Sequence, residues 1–236
     1  MAAVTLLEAR GLTRHFGGLK AVNGVDFALD EGEIHALIGP NGAGKTTFVS
    51  LLSGRIPAQS GTIRLRGRDI TRLPAHARVR AGIAYTFQIT QIYAALTVFD
   101  NVALAVQGRG GHPLAAQAMA ALDRVGLADR AGQIAGTLSY GHQRVLEIAM
   151  GLALAPLLLI LDEPTQGLAE GEIATFKDIV RSVVPQTTVL LIEHNMDVVM
   201  GLAHRITVLN FGEVLATGTP AEIRANPAVQ AAYLGG

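Results

Sequence analysis

The segment Gly39-Pro40-Asn41-Gly42-Ala43-Gly44-Lys45-Thr46 constrains this chain more than any other. It fits the spacing G-x-x-x-x-G-K-[ST], and it lies between an apolar run, Ile34–Ile38, and a helical stretch, Thr46–Leu52. Glycines in such a turn let main-chain N–H groups converge on phosphate oxygens without side-chain obstruction. The helix that follows adds positive potential at its first turn. In a loop of this kind Lys45 bridges the outer phosphates of a nucleotide and the Thr46 hydroxyl ligates Mg²⁺. Gly39, Asn41, Gly42, Gly44 and Thr47 complete the candidate phosphate-contacting set.

The rest of the chain alternates in the same manner. Short runs rich in Val, Ile and Leu, at Ile34–Ile38, Ile83–Thr86, Leu157–Leu161, Thr188–Ile192 and Ile206–Leu209, are separated by helical stretches. That alternation predicts an α/β fold with a mostly parallel sheet covered by helices. Thr5–Ala9, Val25–Leu29 and Thr62–Arg66 lie nearer the front and predict a separate antiparallel β piece. Helices are expected after Gly44, Val98, Pro113, Gly141, Gly171, Asn195 and Pro220. A single domain over residues 1–236 is expected, with a helical subdomain inserted at roughly 88–150.

Leu157–Leu161 delivers Asp162 and Glu163 at its C-terminal end. A carboxylate there, facing a phosphate loop, suits the Mg²⁺ shell, and the next acid is placed to polarise an attacking water as general base. Two acids at a strand end are by themselves commonplace solvated groups. Their pairing with the phosphate loop gives them meaning.

These features describe nucleotide hydrolases in general. Leu138-Ser139-Tyr140-Gly141-His142-Gln143 narrows them, because it leads into a helix and resembles the L-S-G-G-Q signature of ABC-type ATPases. The resemblance covers essentially the whole chain, with further elements in the family's order. Phe16 stands where an aromatic stacks on adenine, although alone it would read as core. Gln88 follows the Ile83–Thr86 strand as the family's loop glutamine does, and His194 follows Thr188–Ile192 as its switch histidine does. The resemblance implies that two such domains close head to tail over two ATP molecules. Ser139 and Gly141 would then contact the partner's ATP in trans, Gln88 would join Thr46 and Asp162 at the metal, and Glu163, His194 and Gln88 would serve hydrolysis.

The chain also departs from the pattern. Tyr140 replaces the first glycine of the signature pair and His142 its glutamine. Ala169 stands where the family usually has an aspartate that contacts the opposite subunit. Full activity in a subfamily and a weakened or asymmetric site both fit these changes.

Composition excludes some classes. Nineteen basic and nineteen acidic residues give zero formal charge, unlike a dedicated nucleic-acid binder. With no cysteine there are no disulfides or thiolate metal sites. The apolar run Val145–Leu161 is broken by Glu147 and Pro156, so it reads as a buried helix, a turn and a buried strand rather than a membrane span. Arginines at 64, 66, 68, 72, 78 and 80 suggest a solvated strand face, with a nucleic-acid or lipid surface as the alternatives.

A soluble ABC ATPase acting on nucleic acid would call for tandem domains or a long coiled-coil insertion. A small-molecule kinase would not need the Leu138–Gln143 segment, and a GTPase would need an N-K-x-D motif, which is absent. Ala84–Gln88, Ser139–Arg144, Ile192–Met196 and the ending Asn226-Pro227 to Tyr233-Leu234-Gly235 resemble the ATPases of branched-chain amino acid importers. Urea and amide importers use close relatives. The partners implied are integral membrane permease subunits, a second ATPase subunit (the same or related) and, indirectly, a solute-binding protein, with no nucleic acid. The implied location is peripheral, on the cytoplasmic face of the inner membrane.

Overall fold

The computed structural model describes residues 4–86, 91–110 and 112–234. The chain opens with β1 (Thr5–Phe16), β2 (Leu19–Asp30) and β3 (Ile34–Ile38), then α1 (Lys45–Leu52), β4 (Ser60–Leu65), β5 (Arg68–Asp69), α2 (Ala75–Ala81) and β6 (Ile83–Tyr85). A helical stretch follows, with α3 (Val98–Gly108), α4 (Leu114–Arg124) and α5 (Tyr140–Ala153). Next come β7 (Leu158–Asp162), α6 (Glu170–Val183), β8 (Thr188–Ile192), α7 (Met196–Leu202), β9 (Arg205–Asn210), β10 (Glu213–Gly218), α8 (Pro220–Ala225) and α9 (Pro227–Leu234).

Two sheets result, in the orders β2-β1-β4-β5 and β10-β9-β3-β8-β7-β6. The first is antiparallel. In the second, β9, β3, β8, β7 and β6 run parallel and β10 closes one edge antiparallel to β9. β3, β7 and β8 are buried at every residue, which is why each reads as a continuous apolar run instead of an alternating one. Their side chains still divide by parity. Leu37, Leu158, Ile160, Leu190 and Ile192 point into a core shared with the antiparallel sheet and α1. Leu159, Leu161, Val189 and Leu191 face the helical side, where they meet Val102, Leu122, Leu146 and Phe176.

The α/β architecture, the front antiparallel sheet and the helical stretch between β6 and β7 all match the expectation. The differences are local. β1 runs on to Phe16 although apolar alternation fades after Ala9, because it is hydrogen-bonded to β2 on one side and β4 on the other. The short helices α2 and α9 and the strands β5 and β10 carried no strong sequence pattern.

The arginine-rich stretch is not one strand face. Arg64 lies on β4, Arg66 sits in the turn at φ 47°, and Arg68 opens β5. Arg78 is only 2% exposed. It donates to the carbonyls of Leu51 at 2.6 Å, Leu52 at 2.8 Å, Leu73 at 2.9 Å and Thr71 at 2.8 Å, and thereby caps the C-terminal end of α1.

Val145–Leu161 divides as expected, with α5 ending at Ala153 and β7 beginning at Leu158. Among the described residues no helix is long and apolar enough to cross a membrane.

Candidate nucleotide site

Because β3, β6, β7 and β8 are parallel, their C-terminal ends share one edge of the sheet. The register pairs Leu37 and Asp162 with Ile192. Gly39, Glu163 and Glu193 therefore leave neighbouring strands side by side.

The phosphate loop follows β3 directly. A Cβ at Gly39 would lie 2.2 Å from the Leu209 carbonyl oxygen, so only glycine fits against β9. Gly44 has φ 100°, and a Cβ there would lie 2.1 Å from the Ala21 carbonyl oxygen of β2. The Gly212 N–H donates to the Ala43 carbonyl at 2.9 Å and the Asn23 N–H to the Gly212 carbonyl at 2.8 Å, so both sheets grip the loop.

Lys45 is buried and donates to the Gly39 and Pro40 carbonyls at 2.6 and 3.0 Å. Burial holds its pKa below the ordinary lysine value, partly offset by attraction to Glu163 and Asp162. Asn41, Gly42 and Thr46 are exposed, Thr47 is half-buried, and no acid occupies the first turn of α1. The loop thus presents main-chain N–H groups and a cation at one helix start, an arrangement suited to an anion.

Asp162, the last residue of β7, is 3% exposed. Burial raises its pKa, opposed by the hydrogen bond that the Tyr85 hydroxyl donates to its Oδ2. The Arg55 guanidinium lies 4.9 Å from the centre of the Tyr85 ring. Glu163 leaves the sheet at φ 49°, a left-handed conformation rare for a side-chain-bearing residue. This kink turns its carboxylate toward His194, whose Nε2 contacts Oε1. His194 is 46% exposed at its side chain and Glu163 12%.

The structure therefore brings Lys45, Asp162, Glu163 and His194 together beside Thr46. Gln88 lies outside the described residues. Phe16 ends β1 and is 45% exposed with Arg14 4.9 Å above its ring, so it is not a core aromatic.

Ser139 and Gly141 make no hydrogen bond, among the described residues, to the phosphate loop or the Asp162–Glu163 pair. Ser139 is the exposed N-cap of α5, and its Oγ lies 2.7 Å from His142 Nδ1. Gly141 is packed against α6, since a Cβ there would meet Glu172 Oε1 at 2.1 Å. Tyr140 lies against Gly167, where a Cβ would come within 3.2 Å of its ring. Ala169 offers no side-chain acceptor to α6, and its N–H donates to Glu172 Oε2 at 3.0 Å instead.

Sequence reasoning passed over Tyr85 as a partner of Asp162, His142 as a partner of Ser139, and Glu193. Tyr85 ends the β6 run and His142 stands inside the signature, so position alone pointed at both. Glu193 gave no signal, because an acid at a strand end reads as solvated.

Comparison with known proteins agrees with this geometry. The family described as "ABC transporter" matches residues 22–166, and one described as "Branched-chain amino acid ATP-binding cassette transporter" matches residues 213–236. The high-affinity branched-chain amino acid transport ATP-binding protein BraF of Pseudomonas aeruginosa is 40% identical over 98% of both chains. LivG of Escherichia coli, described in the same words, is also 40% identical over 98% of both. An ATP-binding cassette of an ABC transporter solved in its ADP conformation superposes with a TM-score of 0.90 at 27% identity, covering 98% of this chain and 99% of that one. A nucleotide-free ATP-binding cassette gives the same TM-score, 0.90, and the same identity, 27%, over 98% of this chain and all of that one.

Proposed function

We propose, from the premise that this chain belongs to the ABC transporter family as an ATP-hydrolysing subunit, that it powers uptake of branched-chain or other hydrophobic amino acids through a membrane permease. The observation that carries the hydrolytic reading is the convergence of Lys45, Asp162, Glu163 and His194 at one sheet edge. The cargo rests on the likeness of the whole chain to BraF and LivG and on the match over residues 213–236.

In this reading residues 1–236 form one ATP-binding domain, with the helical stretch at roughly 88–150 inserted in it. Gly39, Asn41, Gly42, Gly44, Lys45, Thr46 and Thr47 hold the phosphates, and Phe16 stacks on adenine. Lys45 gives up its two carbonyl partners for phosphate oxygens, a favourable exchange for a desolvated cation. Asp162, the Thr46 hydroxyl and Gln88 form an oxygen donor set with a single charge. That suits Mg²⁺, which keeps waters and phosphate oxygens instead of an all-protein cage. When bound, Mg²⁺ neutralises charge developing on the phosphates. Glu163 takes a proton from the water that attacks the γ-phosphorus as the bond to the β–γ bridging oxygen breaks. His194, already bonded to Glu163, orients that carboxylate and the γ-phosphate.

The partners in this reading are integral membrane permease subunits, a second ATPase subunit and, indirectly, a solute-binding protein. The chain would sit peripherally on the cytoplasmic face of the membrane.

Two measurements test this. Glu163→Gln keeps the shape but removes the base, so turnover should drop ~10²–10⁴-fold with ATP binding retained. Lys45→Ala should weaken binding itself. Glu163→Gln turnover above about a tenth of wild type would remove Glu163 as the base. Deleting the gene and following radiolabelled leucine, urea and an aromatic acid decides the cargo. Unchanged leucine uptake with loss of another solute overturns the amino-acid assignment and leaves the ATPase reading intact.

A further inference from the structure

Glu193 stands between β8 and His194, and it is 3% exposed. Its side chain turns inward between two loops instead of out to solvent. Oε1 accepts from the Thr165 N–H at 3.0 Å and from the Thr165 hydroxyl. Oε2 accepts from the N–H of His194 at 2.9 Å and of Asn195 at 3.1 Å. The four partners serve as donors to its two oxygens, two from each loop. Among the described residues Glu193 makes no ion pair. A buried carboxylate held by hydrogen-bond donors alone is costly to bury and strongly directional.

The two loops it joins are the ones that matter. Thr165 lies two residues beyond Glu163, on the way from β7 to α6, and it is buried as well. Asn195 caps α7, its Oδ1 accepting from the Asp197 and Val198 N–H groups at 3.0 and 3.2 Å. Glu163 and His194 are therefore connected twice. One connection is direct and partly exposed, through the imidazole. The other is buried and runs through main chain, from Thr165 across Glu193 to His194.

We infer that Glu193 is a positioning residue for hydrolysis: its carboxylate locks the loop after β7 to the loop after β8 and so keeps Glu163 and His194 in register. The inference rests on reading Glu163 and His194 as the hydrolytic pair. Glutamine has the same shape but turns an NH₂ toward an N–H donor, so one oxygen's two donors lose their acceptor. Aspartate is one methylene too short to reach both loops.

The test uses the purified full-length chain as wild type, Glu193→Gln, His194→Ala and the double variant. It measures ATP turnover, ATP affinity and amide hydrogen exchange. Glu193→Gln should lower kcat by about 10–100-fold, within the range of a lost orienting group, while the Kd for ATP stays within about twofold. Exchange should quicken at Thr165, His194 and Asn195, whose N–H groups the carboxylate holds. In the His194→Ala background the added cost of Glu193→Gln should shrink to less than about twofold, since with His194 gone there is no partner left for Glu163 to be held in register with. A purely structural residue would cost the same in both backgrounds.

Wild-type turnover in Glu193→Gln, an undiminished cost in the His194→Ala background, or unchanged exchange at those amides each overturns the inference. If Glu193→Gln does not fold, Thr165→Val removes only the hydroxyl donor and carries the same comparisons with a smaller effect. If His194→Ala alone leaves turnover unchanged, the hydrolytic pair is wrong and the inference falls with it. A slow His194→Ala beside an unimpaired Glu193→Gln sinks the inference alone.

Discussion

Gly44 joins two demands at one Cα. Its φ of 100° suits glycine, and the space where a Cβ would go is filled by the Ala21 carbonyl oxygen at 2.1 Å. Backbone fills that space, so no rotamer change relieves the clash. Gly44→Ala should therefore cost more than the ~1–2 kcal/mol of a left-handed alanine alone, because β2 or the loop must also move. Urea denaturation should register the loss, and ATP affinity should fall in parallel. Gly42, with φ 78° but open space beside it, makes the comparison. Gly42→Ala should bear the conformational cost alone and destabilise less. The sequence reading put both glycines in the phosphate-contacting set, and their neighbours separate them.

At the level of elements, the helix that follows the phosphate loop depends on a residue far along the chain. α1 ends against Arg78, which accounts for two of its terminal carbonyls and for those of Thr71 and Leu73, just before α2. Burial lowers the pKa of Arg78 to about 10, so it remains a cation near neutral pH. Arg78→Met keeps the bulk and removes the donors, leaving helix-end carbonyls buried. We expect a loss of roughly 2–4 kcal/mol in urea denaturation, from several charge-assisted hydrogen bonds and orphaned acceptors. If the variant is as stable as wild type, the cap is dispensable. An arginine-rich stretch reads from sequence as a solvated face. Arg78 is the exception because α2, too short to announce itself by periodicity, carries it under α1.

On the scale of the molecule, the proposed head-to-tail arrangement places a second subunit on the exposed signature. Ser139 faces solvent at the start of α5 and, among the described residues, makes no hydrogen bond to its own phosphate loop. In that arrangement ATP should promote a dimer that ADP does not, the γ-phosphate being the proposed bridging group. Light scattering on Glu163→Gln with ATP is the measurement, with Ser139→Arg as the disrupted control. If the natural partner is a related ATPase subunit, mixing with that subunit restores the dimer. Failure with both self and partner refutes the head-to-tail arrangement. Tyr140 lies against Gly167 and Gly141 against Glu172, so the signature is packed on the loop and helix after β7.

The sequence by itself determined the strand runs, the glycine-lysine loop, the acid pair at the C-terminal end of β7 and the histidine after β8. Each of these is written in adjacent residues: buried parallel strands need unbroken apolar runs, and a phosphate loop needs its glycines in fixed order. Tertiary structure alone decided which polar groups meet. The hydroxyl of Tyr85 on Asp162 and the carboxylate of Glu193 between two loops depend on parallel register, and the guanidinium under α1 on the packing of a helix distant in sequence. A polar side chain carries no periodic signature of its own, so whether it is solvated or fully bonded is settled only when the neighbouring strands bring its donors or acceptors to it.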